Sequence, residues 1–132
     1  MDKVAIDDVR SEINPMEVHD VRKPVSKVLG TEHFAMNYFE LAPGDSFSGG
    51  LHTHHDQEEV FYVESGTAEF EVGRDRETVT VEAGELIRFE PGEFQTGGAL
   101  IDLSGYLAAF GYAVATGLAG LGLSWFVPEP DL

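Results

Sequence analysis

The reading of this chain turns on Leu51-His52-Thr53-His54-His55-Asp56-Gln57-Glu58-Glu59-Val60-Phe61-Tyr62-Val63-Glu64-Ser65-Gly66. From Glu58 to Glu64 the stretch is rich in β-branched and aromatic residues, which suit a pleated strand. Ser65-Gly66 then turns the chain. Leu51 to His54 reads as a shorter strand, with Asp56 and its neighbours forming the turn between the two. In an extended chain His52 and His54 project from the same face, and Glu59 can meet them from the returning strand. Two imidazoles and a carboxylate on facing strands make a set suited to Fe(II), and also to Mn, Ni or Zn, with positions left open for a substrate. His55 has the wrong parity to join from the same strand and reads as exposed or as a residue behind the ligands. An isolated H-x-H is more often an ordinary polar loop than a metal site; the spacing to Glu59 sets this one apart.

The same pattern of short strands and turns extends on both sides. His33 to Leu41 alternates, with Phe34, Met36 and Tyr38 on one face and Ala35, Asn37 and Phe39 on the other. Ala42-Pro43-Gly44-Asp45 is a turn. Thr67 to Val72 sets Ala68, Phe70 and Val72 opposite Thr67, Glu69 and Glu71, and after a turn at Gly73 to Arg76, Thr78 to Glu82 places Val79 and Val81 on one face. Leu86 to Phe89 follows, then a turn at Pro91-Gly92. Strands at this spacing predict an all-β sandwich or barrel. Residues 1–24, interrupted by Pro15 and Pro24, read as an N-terminal arm, and 25–132 as the barrel; no helical period is sustained before residue 99.

The stretch 99–132 differs in character. No charged residue occurs from Leu103 to Val127, and no basic residue follows Arg88. Such a run is long enough to span a bilayer as a helix. Its glycines at 105, 111, 117, 120 and 122 weaken a helix, however, and no Lys or Arg flanks it. The last strands of the barrel, a membrane segment and an atypical C-terminus are the three readings; buried strands favour the first, because they also read as continuous apolar runs.

The chain has 132 residues, 24 acidic and 8 basic, for a formal net charge of −16, with 42% apolar residues and no cysteine. That length suits one domain burying roughly two thirds of its surface. The missing cysteine excludes disulfides, thiolate metal sites and Cys nucleophiles. The charge disfavours nucleic acid and anionic membranes as partners, since both repel it. It is also compatible with a halophile's acidic surface. The N-terminus, Met1-Asp2-Lys3-Val4-Ala5-Ile6-Asp7-Asp8, has no apolar core of a signal peptide, and the expected location is cytoplasmic.

The segment His52-Thr53-His54, four residues, Glu59, six residues, Gly66 resembles the first sequence motif of the cupin superfamily. Ser46 stands at that motif's leading glycine, with Gly44 nearby. A second motif is recognisable but altered: Gly84 and Gly92 are correctly spaced, Glu90 takes the proline position with Pro91 one later, Gln95 takes the third histidine and Ala99 the asparagine. The resemblance covers about residues 33 to 98. It implies a double-stranded β-helix, the jelly-roll barrel, with a site in its mouth. It also implies a divalent transition metal at His52, His54 and Glu59, with Gln95 beside it as a weak oxygen ligand or as a hydrogen-bonding partner of a bound water.

Phe61 and Val63 would line the interior with Glu59. Phe89, Phe94 and Tyr38 are candidates for pocket wall, although ordinary core packing is the commoner role. Tyr38, Tyr62 and Glu58 are the available acid–base groups, none of them singled out. The implied function is a metal-binding cupin acting on a small organic molecule, as an oxygenase- or isomerase-type enzyme. The alternative is a ligand-binding or sensor cupin without turnover. A homodimer is expected, since an open jelly roll leaves sheet edges to cover and the arm before Pro24 offers a strand to exchange.

Overall fold

A computed structural model describes residues 1–12, 21–47, 51–100 and 107–115. Its strands are β1 (Val21–Lys23), β2 (Ala35–Leu41), β3 (Gln57–Ser65), β4 (Thr67–Val72), β5 (Glu77–Glu82), β6 (Leu86–Phe89), β7 (Gln95–Ala99) and β8 (Leu107–Ala115). They form two antiparallel sheets, five strands in the order β1-β2-β8-β3-β6 and three in the order β5-β4-β7. This is the all-β, double-stranded β-helix architecture expected from the strand pattern and the resemblance.

Alternation decides what faces inward. Along β3, Gln57, Glu59, Phe61 and Val63 are buried, while Glu58, Val60 and Tyr62 are only half-buried on the outer face. On β2, Ala35, Asn37, Phe39 and Leu41 face the interior, and β4 contributes Ala68 and Phe70. Five phenylalanines join the sheets. Phe61 lies 5.3 Å from Phe70 and 4.8 Å from Phe47, and Phe70 lies 5.4 Å from Phe89, as ring centroids. Phe39 completes the cluster edge-on to Phe47 at 5.1 Å. Tilted and edge-to-face rings at these separations are favourable beyond their buried area. Gly66 (φ 79°) makes the tight β3–β4 reversal, a backbone conformation open to glycine at little steric cost.

Several expectations need correction. A short helix, α1 (Val25–Leu29), follows Pro24 and ends at Gly30 in the left-handed conformation, φ 74°. A helix of 5 residues is too short to show an apolar period. Leu51 to His54 is not a strand but makes a single bridge, His52 to Gln95. Gln95–Ala99, which lacks β-formers apart from Thr96, is a strand. Within the arm, Val21–Lys23 forms β1 and pairs with β2. In the apolar tail, Leu107–Ala115 is β8, inserted between β2 and β3. That excludes a membrane helix over this part; residues 101–106 and 116–132 lie outside the described residues. Among the described residues no helix is long and apolar enough to cross a membrane.

Candidate metal centre

The His52–His54 segment is tied to the chain before and within β7. The His52 N–H donates to the Gln95 carbonyl at 3.1 Å, and the Gln95 N–H returns to the His52 carbonyl at 2.8 Å. The Gly92 N–H donates to the His54 carbonyl at 2.8 Å. With the backbone held this way, both imidazoles meet the inward carboxylate of Glu59. One donor atom each from His52, His54 and Glu59 lies within 4.8 Å of the others. The two rings stand edge-to-face at 5.1 Å. Glu59 is buried, and only 10% of the His54 side chain is exposed.

Burial, and secondarily the neighbouring His52, lowers the His54 pKa from 6.5 to about 4, against the opposing pull of Asp56. At neutral pH His54 is therefore uncharged with a ring lone pair available, and its contact with Glu59 Oε1 at 3.4 Å is not an ion pair. A cation held at about 2.1 Å from each donor in tetrahedral or octahedral geometry sets neighbouring donors about 3.0–3.4 Å apart. The three donor atoms lie within 4.8 Å of one another, so binding would draw the side chains together by rotation. Borderline imidazole donors with a carboxylate fit Fe(II), Mn, Ni or Zn.

Gln95 belongs to the same cluster and is buried. Its Nε2 lies 3.2 Å from His52 Nε2 and donates to Glu59 Oε1 at 3.3 Å. Half a turn of the amide replaces Nε2 with Oε1 at the same point. The cluster thus has two arrangements, an N–H holding the carboxylate or a carbonyl oxygen facing a cation. Of the two readings of His55, exposed or behind the ligands, the structure shows the first.

The other candidates do not converge here. Glu58 is on the outer face of β3 and pairs with Arg88 at 2.8 Å. Tyr62 shares that face. Tyr38 also points outward, packing on Phe110 at 5.1 Å and donating to Glu40 at 2.9 Å. Phe89 is core, and Phe94 is half-buried beneath the Arg74 guanidinium. None of the three reads as pocket wall. Inward polar residues that were not singled out from the sequence include Asn37 and Gln57. Asn37 is fully buried, and neither amide atom has a hydrogen-bond partner. Its signal was there, a carboxamide at the parity of Ala35 and Phe39.

Residues 37–96 match the family model described as Cupin domain. No curated protein matches the chain in sequence. Among solved structures, the polyketide cyclase RemF from Streptomyces resistomycificus is similar, with TM-score 0.68 and 21% identity over 93% of this chain and 85% of that one. A predicted oxalate decarboxylase from Thermotoga maritima gives TM-score 0.66 at 19% identity, covering 86% of this chain and 98% of that one. A cupin protein from Bacteroides fragilis gives 0.64 at 18%, covering 95% and 98%. The cupin-domain match thus lies over residues 37–96, a little under half of the chain, and these structures share its fold.

Proposed function

We propose that the chain binds a divalent transition metal through His52, His54 and Glu59 and acts through it on a small organic molecule, as an enzyme of the isomerase, lyase or oxygenase type. The observation that carries this reading is the convergence of two imidazoles on a buried carboxylate. A desolvated carboxylate is costly without a compensating charge or hydrogen bonds. Gln95 donates an amide hydrogen bond to Glu59, and a divalent cation would add the opposite charge that a buried carboxylate calls for. When bound, the metal supplies Lewis-acid polarisation of a substrate oxygen. The chain's own contribution is to keep His54 neutral, to orient the imidazoles through the His52–Gln95 backbone pair, and to shield the site with the phenylalanine core.

The similar structures include a polyketide cyclase and a predicted oxalate decarboxylase. Their chemistries differ, so the shared fold does not choose the reaction. A second reading, a ligand-binding module without turnover, is favoured by the outward placement of Glu58, Tyr62 and Tyr38. This leaves the cluster as the acid–base equipment of the described interior.

Elemental analysis of purified wild type and His52→Ala tests the metal. Stoichiometric metal in wild type and a sharp loss in the variant are expected, because one of three ligands is gone. Equal metal content in the two proteins would sink the assignment.

A further inference from the structure

The outer faces of the two sheets differ. On the three-stranded sheet the outward residues are Glu69, Glu71, Thr78, Thr80 and Thr96, as suits a face that meets water. On the five-stranded sheet the middle of the outer face is apolar. One row crosses four strands as Tyr38, Phe110, Tyr62 and Leu86, and the next runs Met36, Tyr112 and Val60. The rings of Tyr38 and Phe110 lie 5.1 Å apart, and those of Phe110 and Tyr112 6.5 Å. β8 accordingly reads as a continuous apolar run, the pattern of a strand covered on both faces. The β2 end of the row is closed: Tyr38 is buried, and Lys23, which donates to the Ile6 carbonyl at 2.9 Å, stands 5.9 Å over its ring. The other end is open. Leu86 is 63% exposed, and Phe110, Tyr112, Val60 and Tyr62 are half-buried. An aromatic patch rimmed by charge marks a place where something docks.

We propose that the occupant is residues 118–127 of the same chain, Leu118-Ala119-Gly120-Leu121-Gly122-Leu123-Ser124-Trp125-Phe126-Val127. Connection, reach and charge select this segment over a second copy. β8 is the central strand of the sheet and ends at Ala115, so the chain continues from the sheet's middle. Phe110 lies about 17 Å back along β8 from Ala115, and β6 lies about 10 Å to the side. Residues 116–127 span up to about 40 Å when extended, enough to reach both. The segment carries no charge, whereas a second copy would set another net −16 against the first. Its leucines, Trp125 and Phe126 match the tyrosines and Phe110, and aromatic pairs add to the gain from burial. The docked segment covers the outer side of β3, whose inner side carries Glu59.

Trp125 is the single tryptophan of the chain, so its fluorescence reads the segment alone. In the full-length protein its emission should be blue-shifted from that of the urea-unfolded chain, and its quenching by acrylamide, a neutral probe, should be several-fold weaker. Neither should change on dilution from micromolar to nanomolar protein. Tyr62→Glu and Leu86→Glu should each shift the emission to the red and raise the quenching. Leu86 is exposed at a sheet edge, so that variant keeps the fold, as far-UV circular dichroism checks. Thr78→Glu, which adds the same charge to the outer face of the other sheet, should leave Trp125 as in wild type. Native Trp125 as open to acrylamide as in the unfolded chain overturns the proposal. So does protection that survives Leu86→Glu and Tyr62→Glu, or that is lost equally in Thr78→Glu. Protection that disappears on dilution, with a dimer mass by light scattering at the higher concentration, replaces the segment with a second copy.

Discussion

Gln95 stands where the resemblance would set a third histidine. Its position is set by the backbone pair with His52, and its amide already touches both His52 and Glu59. A carbonyl oxygen is a harder and weaker donor than imidazole for Fe, Ni or Zn. Gln95→His should tighten metal binding by roughly one to two orders of magnitude, read by competition against a chelator. Unchanged affinity would mean that residue 95 does not face the ion. His54 carries a second prediction at this scale. Its pKa is about 4 in the fold and 6.5 as an unperturbed group, so the unfolded chain takes up the proton first as pH falls. The stability associated with neutral His54 is complete above pH 6.5 and is lost as pH falls through about 4. Metal-free wild type should therefore lose more melting temperature between pH 7 and pH 4 than His54→Gln does. The variant is needed as reference because it shares every other titratable group with wild type. Identical pH profiles for the two proteins would remove His54 as the cause.

Among the elements, β7 has the least strand-like sequence, Gln95-Thr96-Gly97-Gly98-Ala99, and yet it carries Gln95 into the site. Its glycines are required by close approach rather than by turns. A Cβ on Gly97 would lie 2.2 Å from the Phe70 ring, and one on Gly98 would lie 2.2 Å from the Asp45 carbonyl oxygen. Phe70 sits among Phe47, Phe61 and Phe89 and has little room to withdraw. Gly97→Ala should cost about 1–3 kcal/mol, as overpacking of a dense core does. Thermal melts should show a fall of several degrees, and metal affinity should weaken with it if β7 positions Gln95. A melting temperature equal to wild type would show that the sheets are looser than the ring distances indicate. In the other sheet, β8 is the central strand between β2 and β3, and it sets Gly111 and Ala113 beside Phe61 and Glu59.

For the molecule as a whole, charge is the dominant feature. The net charge is −16, and cationic relief is sparse. Arg88 bridges Glu58 and Glu90, Arg76 meets Glu71, and Lys27 meets Glu12, all at exposed positions. Exposed pairs of this kind contribute little each. Self-repulsion therefore persists at low salt, whereas molar salt shortens the screening length to about 3 Å. The melting temperature should rise between 0.1 and 2 M KCl. Chloride is the right anion for this test, since sulfate strengthens hydrophobic burial by another route. A flat or falling curve would remove the salt-adapted reading of the composition.

Local alternation was enough to read β4, β6 and most of β2, β3 and β5, because a sheet with one face buried imposes a period of two on its residues. The same parity brought His52, His54 and Glu59 together on paper, since side-chain direction in an extended chain is a local property. Other features depend on contacts between distant segments. β7 is a strand because it pairs with β4, and its glycines are required by the approach of Phe70 and Asp45; no residue within 95–99 announces those neighbours. The apolar run at 107–115 fits a strand or a helix by composition, and its two hydrogen-bonding neighbours, β2 and β3, make it a strand. Tyr38 and Phe89 were equivalent as aromatics in the sequence. Sheet packing sent one outward against Phe110 and the other into the core. Asn37 shows the same division: its parity was written in the chain, but that both amide atoms would lie buried without partners follows only from what the neighbouring strands set opposite it.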